Sequence, residues 1–374
     1  MWKISHITAI YKHKGLKNDK VNYRPISLLP TLSKMCESII HHRLLGHCSE
    51  NNIISYRQAA YIKGDSTVSQ LLYLVHKIKL AWTGKKVTHG VFLDVDGAFD
   101  KIWHKAMIAK LNSINIEGKL LDLFTSYLSN RQQKTVVDGE KSNTTCIPAG
   151  LPQGSRLGPL LFIIYINDIT DIGLESEILI FADDCTLMIS DPDPQKTVEI
   201  LNRDLGRIST WASKWKIQFN ASKTKSLLFS KKYNENLQPL TFNNENVTKV
   251  SSTRHLGLQL SFNLDWKEQV NIMCLKASRK LSVLRRVKNL QRSTLDLLYK
   301  TTIISVIDYG LIVYYHSLTQ TDKMKIDRIQ YSAAKLVSST MHYTSRVKLE
   351  KELGWESMKD RADYLGLTLF HKIH

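Results

Sequence analysis

The chain has 374 residues, enough for two or three domains and a large buried core, which excludes an unstructured tail and a disulfide-held mini-protein. Lys and Arg number 52 against 34 Asp and Glu, a formal charge of +18 that favours a polyanionic partner, nucleic acid ahead of a membrane surface. Because 43% of the residues are hydrophobic, a purely electrostatic, disordered binder is excluded as well.

The pattern is mixed α and β. A strand over Ile4 to Tyr11 leads through a basic turn, Lys12 to Lys17, into Tyr23-Arg24-Pro25-Ile26-Ser27-Leu28. One helix follows with Leu32, Met35, Ile39 and Ile40 on its apolar face, and a second with Val68, Leu71, Leu72, Val75 and Ile78. Val91 to Val95 is short, β-branched and apolar, as a buried strand requires. Helices fit Lys101 to Asn112 and Lys119 to Leu128, and Thr135 to Val137, Asp138-Gly139 and Thr144 to Ile147 read as a hairpin. After the loop Gly150 to Gly154 come an apolar helix, Leu157 to Ile169, and two strands, Ile178 to Ala182 and Cys185 to Ile189, about a tight turn holding two aspartates. Gln195 to Trp215 is an amphipathic helix, and strands near Ser226 to Phe229 and Leu256 to Leu260 follow.

Beyond about residue 262 long helices take over (Trp266 to Lys288, Ser293 to Ile307, Asp322 to Val337), which divides the chain into 1–261 and 262–374. Lys276, Arg279, Lys280, Arg285, Arg286, Lys288 and Arg292 follow one another there with no intervening acid, either as a solvated helical face or as a contact for a polyanion. The five cysteines are scattered and form no CxxC pair, so neither a zinc site nor a disulfide framework is expected and a reducing compartment is the simplest reading. Leu160 to Ile166, the longest apolar run, falls far short of the roughly 20 residues of a membrane span, and the N-terminus has no signal-peptide pattern, so an intracellular protein without a membrane partner is expected.

Two carboxylate clusters stand out because each ends or interrupts an apolar strand, where an aspartate is costly unless solvated, paired or bound to a cation. In Phe92-Leu93-Asp94-Val95-Asp96, side-chain alternation puts Asp94 and Asp96 on one face. The second cluster is Phe181-Ala182-Asp183-Asp184. Two such strand ends could supply the hard oxygen ligands of a two-metal site, although an Asp-Asp pair is also ordinary turn chemistry.

Motif order decides between these readings. "YRPISLL" (23–29), "FLDVDGAFDKIWH" (92–104), "GLPQGSRLGPLLFIIYINDI" (150–169), "FADD" (181–184), the Trp215 to Phe229 stretch with Asn220 and Lys223, and "HLGLQL" (255–260) follow in sequence. Together they resemble the successive motifs of reverse transcriptases from non-LTR (LINE-type) retrotransposons, over nearly the whole chain. The resemblance implies an α+β right-hand polymerase: fingers and a palm with a small antiparallel sheet flanked by helices in 1–261, then an incomplete helical thumb in 262–374.

By resemblance, Asp94 and Asp183 would hold two Mg²⁺ ions, with Mn²⁺ as a substitute, Asp184 adjacent and the Val95 carbonyl completing the ligands. Arg24 and Lys12 would grip the triphosphate, the former through a planar guanidinium that pairs two oxygens. Phe99 would block a ribose 2′-OH, Gln153 would pack against nucleotide and template, and Lys223 would protonate the pyrophosphate leaving group. His255-Leu256-Gly257 resembles a primer-grip hairpin, and the cations from Lys276 to Arg292 would track the template–primer backbone. The expected partners are an RNA template, a DNA primer and deoxynucleoside triphosphates, in a nuclear and cytoplasmic ribonucleoprotein.

The chain departs from the family at three places. The usual Gln-x-Gly-Phe-Arg-x-Gly segment reads Gln58-Ala59-Ala60-Tyr61-Ile62-Lys63-Gly64, with Asp65 at a second commonly basic position. Gly97 stands where a larger residue is common, at the expected start of a helix, costing up to about 1 kcal/mol. Neither an endonuclease signature nor an RNase H carboxylate set is present, so a chain truncated at both ends is expected, its endonuclease supplied by the full-length element. The alternative is a catalytically silent nucleic-acid-binding remnant.

Overall fold

The computed structural model describes residues 3–13, 15–231, 237–340 and 344–373, so Lys14 of the expected basic turn lies outside the described residues. Strands β1 (Ile4–Tyr11) and β2 (Tyr23–Leu28) pair antiparallel, Tyr11 opposite Tyr23. Helices α1 (Thr31–Glu50) and α2 (Thr67–Thr83) follow, then β3 (Val87–Asp94), α3 (His104–Ser113), α4 (Gly118–Leu128) and β4 (Gln132–Val137). Strand β4 lies parallel to β1 and carries the short strands β5 (Glu140–Lys141) and β6 (Thr145–Cys146), so the expected hairpin extends the N-terminal sheet.

Next come α5 (Leu157–Ile166), β7 (Glu177–Phe181), β8 (Asp184–Asp191), α6 (Pro194–Trp215) and β9 (Lys225–Phe229). A small pair, β10 (Thr241–Phe242) and β11 (Glu245–Asn246), precedes β12 (Thr248–Lys249) and the hairpin β13 (Ser252–His255) and β14 (Leu258–Ser261). The C-terminal helices are α7 (Lys267–Arg286), α8 (Arg292–Leu298), α9 (Ser305–Asp308), α10 (Leu311–Tyr314), α11 (Gln320–Ser338), α12 (Arg346–Leu353) and α13 (Met358–Ile373). The central sheet has the order β12-β9-β3-β8-β7 and is antiparallel except at its two-residue edge β12.

Alternation along these strands buries both faces of the sheet. Val91, Leu93, Ile178, Ile180, Cys185 and Leu187 enter one core with α3, α4, α5 and α6; Leu179, Met188, Leu227 and Phe229 enter a second with α2 and the C-terminal helices. Helix α5 is buried on all sides, which explains why its sequence is apolar without helical periodicity. Lys110 of α3 is sunk against the rings of Tyr165, Trp211 and Trp215, donating to the Tyr165 carbonyl and to Asp168 Oδ1, and burial pulls its pKa down to about 8.

Two helices differ from expectation. In α1 the stripe Leu32, Met35 and Ile39 faces solvent, whereas Glu37 is buried. Glu37 Oε2 accepts the Arg156 N–H (2.7 Å) at the start of α5 and its Oε1 accepts the Tyr127 hydroxyl (3.3 Å), so a capping requirement, not apolar periodicity, chooses the packed face. The helix expected over Ser293 to Ile307 is α8 and α9 joined by a π-helical stretch, Tyr299–Ile304. Among the described residues no single helix is long and apolar enough to cross a membrane.

Candidate active site

Asp94 closes β3 and Asp184 opens β8, and the register sets them directly opposite each other. Asp183 sits between them in the two-residue turn Ala182-Asp183, closed by the pair Phe181 and Asp184. Ala182 has φ 54°, the positive first position of a tight hairpin, which a non-glycine residue adopts only under strain. The three carboxylate residues therefore stand at the adjoining ends of two paired strands. Partial desolvation between the strand ends raises the pKa of Asp183, helped by the charge of Asp94, and the same effect with the charges of Asp183 and Asp94 raises that of Asp184 to about 6, although both residues keep solvent access.

The loop after α6 supplies the balancing cation. The Asn220 N–H donates to the Asp94 carbonyl (2.8 Å) and the Asp96 N–H to the Gln218 carbonyl (2.8 Å), which lays 218–220 along the end of β3. Asn220 Oδ1 then accepts the Lys223 N–H (3.1 Å), and Lys223 Nζ reaches Asp94 Oδ2 at 3.2 Å. The Val95–Phe219 bridge leaves the Val95 carbonyl out of this hydrogen bonding. Asp96, expected beside Asp94, instead pairs with Lys101 Nζ at 2.6 Å, because the strand ends at Asp94 and its alternation goes no further. Gly97 does not start a helix: it takes φ +61° in a turn, α3 begins only at His104, and glycine is favoured at 97.

The expected nucleotide residues meet in one cavity of about 530 Å³, lined among others by Lys12, Arg24, Val95, Phe99, Gln153 and Asp183. Arg24 is exposed on β2, and Lys12 Nζ donates to the Val21 carbonyl (2.8 Å). Phe99 stacks on buried Phe162, with centroids 5.0 Å apart, so the ring is backed by the core. Gln153 Nε2 donates to both oxygens of Asp100 (2.9 and 3.0 Å), and its carbonyl accepts the Ser27 N–H (2.7 Å). Gly154, at φ +115°, lies so near the Ser27 carbonyl that a Cβ would stand 2.8 Å from its oxygen.

Two residues of the departing segment, neither of them singled out in the sequence, belong to the same region. Gln58 is buried, and its Oε1 accepts the N–H groups of Ala60 (2.9 Å) and of strained Ala182 (3.1 Å). The Ala59 N–H donates to the Ile180 carbonyl (3.0 Å) and the Ile180 N–H to Arg57 (2.9 Å), zipping this segment onto β7. Tyr61 follows at φ 60° and lines the cavity; partial burial and the Asp183 charge raise its phenol pKa. Ala60 is not left-handed, so it replaces the family glycine without backbone strain, and Asp65 accepts from Ser69 Oγ (2.7 Å) at the start of α2.

The hairpin of β13 and β14 packs on the rear of the site: the His255 ring lies 4.9 Å from Phe92, two residues before Asp94. Lys276, Arg279, Lys280, Arg285, Arg286, Lys288 and Arg292 are all exposed. Lys280 donates to the Thr302 carbonyl (2.9 Å), and Arg292 pairs with Glu352 (2.8 Å).

Among the described residues no three His, Cys, Asp or Glu side chains are drawn into a coordination shell, and Asp94 holds Lys223 instead. The donor set of three carboxylates and a main-chain carbonyl is nevertheless wholly hard oxygen, which fits a hard divalent cation.

The chain is 27% identical to a probable RNA-directed DNA polymerase from the transposon X-element of Drosophila melanogaster, covering 97% of this chain and 40% of that protein. It is also 27% identical to the RNA-directed DNA polymerase from the mobile element jockey of the same species, covering 100% of this chain and 42% of that one. It thus spans about two fifths of the length of these curated relatives. Apo telomerase from Candida tropicalis has a similar right-hand fold, with a TM-score of 0.54 at 12% identity over 94% of this chain and 59% of that one. Residues 12–271 match the family model described as reverse transcriptase (RNA-dependent DNA polymerase), and the chain belongs to that family.

Proposed function

We propose that the chain is the RNA-directed DNA polymerase of a non-LTR retrotransposon, adding deoxynucleotides to a primer 3′-OH on an RNA template. The observation that carries this reading is the shared cavity, in which five expected nucleotide contacts from four separate segments border Asp183. Asp94, Asp183, Asp184 and the Val95 carbonyl would hold Mg²⁺. Bound there, the ions would lower the pKa of the primer hydroxyl and neutralise triphosphate charge.

The protein's own groups do the rest. Arg24 and Lys12, at the cavity wall, bind the triphosphate, Lys12 exchanging the Val21 carbonyl for phosphate oxygen. Phe99 excludes a 2′-OH because Phe162 behind it prevents retreat. Asp100 holds Gln153 by its side-chain amide nitrogen, which leaves the side-chain oxygen Oε1, not the main-chain carbonyl that Ser27 engages, to face nucleotide and template. Lys223, paired with Asp94 at 3.2 Å, donates a proton to the departing pyrophosphate. Residues 262–374 act as the thumb, their exposed cations following the template–primer backbone.

Primer extension on poly(rA)/oligo(dT) with Mg²⁺, beside an Asp183→Ala control, tests this. The expected result is incorporation by the wild type alone. Equal incorporation by both proteins, or none by either, refutes it, and retained nucleic-acid binding without synthesis would identify a silent remnant.

A further inference from the structure

Tyr61 is an aromatic residue in the wrong backbone for its bulk. At φ 60° it occupies the left-handed region that large side chains avoid, and little is gained in return by packing: the residue is 52% exposed and belongs to neither hydrophobic core. The conformation is nevertheless over-determined. Gln58 Oε1 ties Ala60 to Ala182, and the Ala59 and Ile180 hydrogen bonds lock the preceding residues to β7. The ring is thereby held on the wall of the cavity that Arg24, Phe99, Gln153 and Asp183 also line.

A rigidly mounted, solvent-facing ring beside groups suited to phosphate and sugar is suited to the remaining part of a nucleotide. We propose that Tyr61 contacts substrate, its ring stacking on the nucleobase at the insertion site. The assignment rests on the polymerase reading above. Stacking on an aromatic side chain tolerates any base, so Tyr61 strengthens nucleotide binding without selecting sequence.

The test uses Tyr61→Gly and Tyr61→Phe in the full chain on poly(rA)/oligo(dT). Glycine relieves the left-handed strain, so Tyr61→Gly should melt no lower than the wild type while its KM for dTTP rises about tenfold and kcat changes far less. With a dideoxy-terminated primer, the rise in melting temperature produced by dTTP should shrink in parallel. Tyr61→Phe, which keeps the ring, should retain both the wild-type KM and the dTTP-induced shift. A wild-type KM in Tyr61→Gly, or equal losses in the two variants, would overturn the stacking role while leaving the polymerase intact. A wild type that neither extends the primer nor is stabilised by dTTP would overturn the polymerase reading, and this one with it.

Discussion

Acid should unfold this protein through two histidines that the central sheet keeps neutral. His89 on β3 is 3% exposed, with Nδ1 3.1 Å from Thr197 Oγ1, and His255 on β13 is 7% exposed, against Phe92 and Thr186. Burial, with Lys249 adding to it at His89, pulls each imidazole from its ordinary 6.5 down to about 4. The unfolded chain takes up these protons near pH 6.5 and the folded chain only near 4, so stability is complete above 6.5, falls between 6.5 and 4, and falls no further on their account below that. At about 1.4 kcal/mol per pH unit, each histidine costs roughly 2 kcal/mol by pH 5 and a little over 3 at its limit. About 4 kcal/mol from the pair is a large share of a fold whose total is on the order of 5–15 kcal/mol. Urea denaturation followed by circular dichroism between pH 7.5 and 5 measures the slope. A His89→Gln/His255→Gln double variant should be less stable at pH 7.5 and lose much less on acidification. Parallel slopes in the two proteins would refute the assignment of the acid sensitivity to these residues.

Crowding among the active-site carboxylates should make function costly to the fold: Asp184→Asn should raise the metal-free melting temperature, by about 1 kcal/mol of stability once solvent screening of this partly open group is allowed for, while reducing synthesis. A fall in melting temperature in EDTA would count against it. Phe99→Ala should raise ribonucleotide relative to deoxynucleotide incorporation and destabilise by about 1–2 kcal/mol, since the half-buried ring leaves a gap on Phe162. An unchanged incorporation ratio would remove Phe99 from the ribose site. Gln58→Leu should strand the buried N–H groups of Ala60 and Ala182, costing about 1–3 kcal/mol and lowering kcat more than the KM for dTTP. A variant with wild-type kcat would show that the Ala182 turn holds its shape unaided.

What was legible in the sequence was local or ordered. Asp183 and Asp184 announced a turn between apolar strands, and motif order supplied the fold, because both are properties of short segments and their succession. The same local reasoning failed where a distant polar partner decided the outcome. Leu32, Met35 and Ile39 form a convincing apolar stripe, yet the buried side of α1 is the one bearing Glu37, whose role depends on the start of α5 more than a hundred residues away. Alternation placed Asp96 with Asp94, but no register continues past the strand end and Lys101 claims it. Tyr61 and Gln58 were visible only as members of a segment that departs from its pattern at Ala60, Ile62 and Asp65, since neither a left-handed backbone nor a hydrogen bond to residue 182 leaves a periodic trace.

The second hydrophobic core also constrains how such chains can be rearranged by recombination. Leu71, Leu74, Val75 and Ile78 of α2, with Leu179, Met188, Leu227 and Phe229 from the sheet, bury their side chains among helices that come after residue 262. A cut at that point would strip solvent protection from four elements upstream of it. The C-terminal helices are therefore no exchangeable cassette: grafted from a relative of low identity, they would arrive with side chains shaped for another α2. Compatible changes must arise in pairs across the join, and residues 67–83 and 262–374 are best carried as one heritable unit in any chimera.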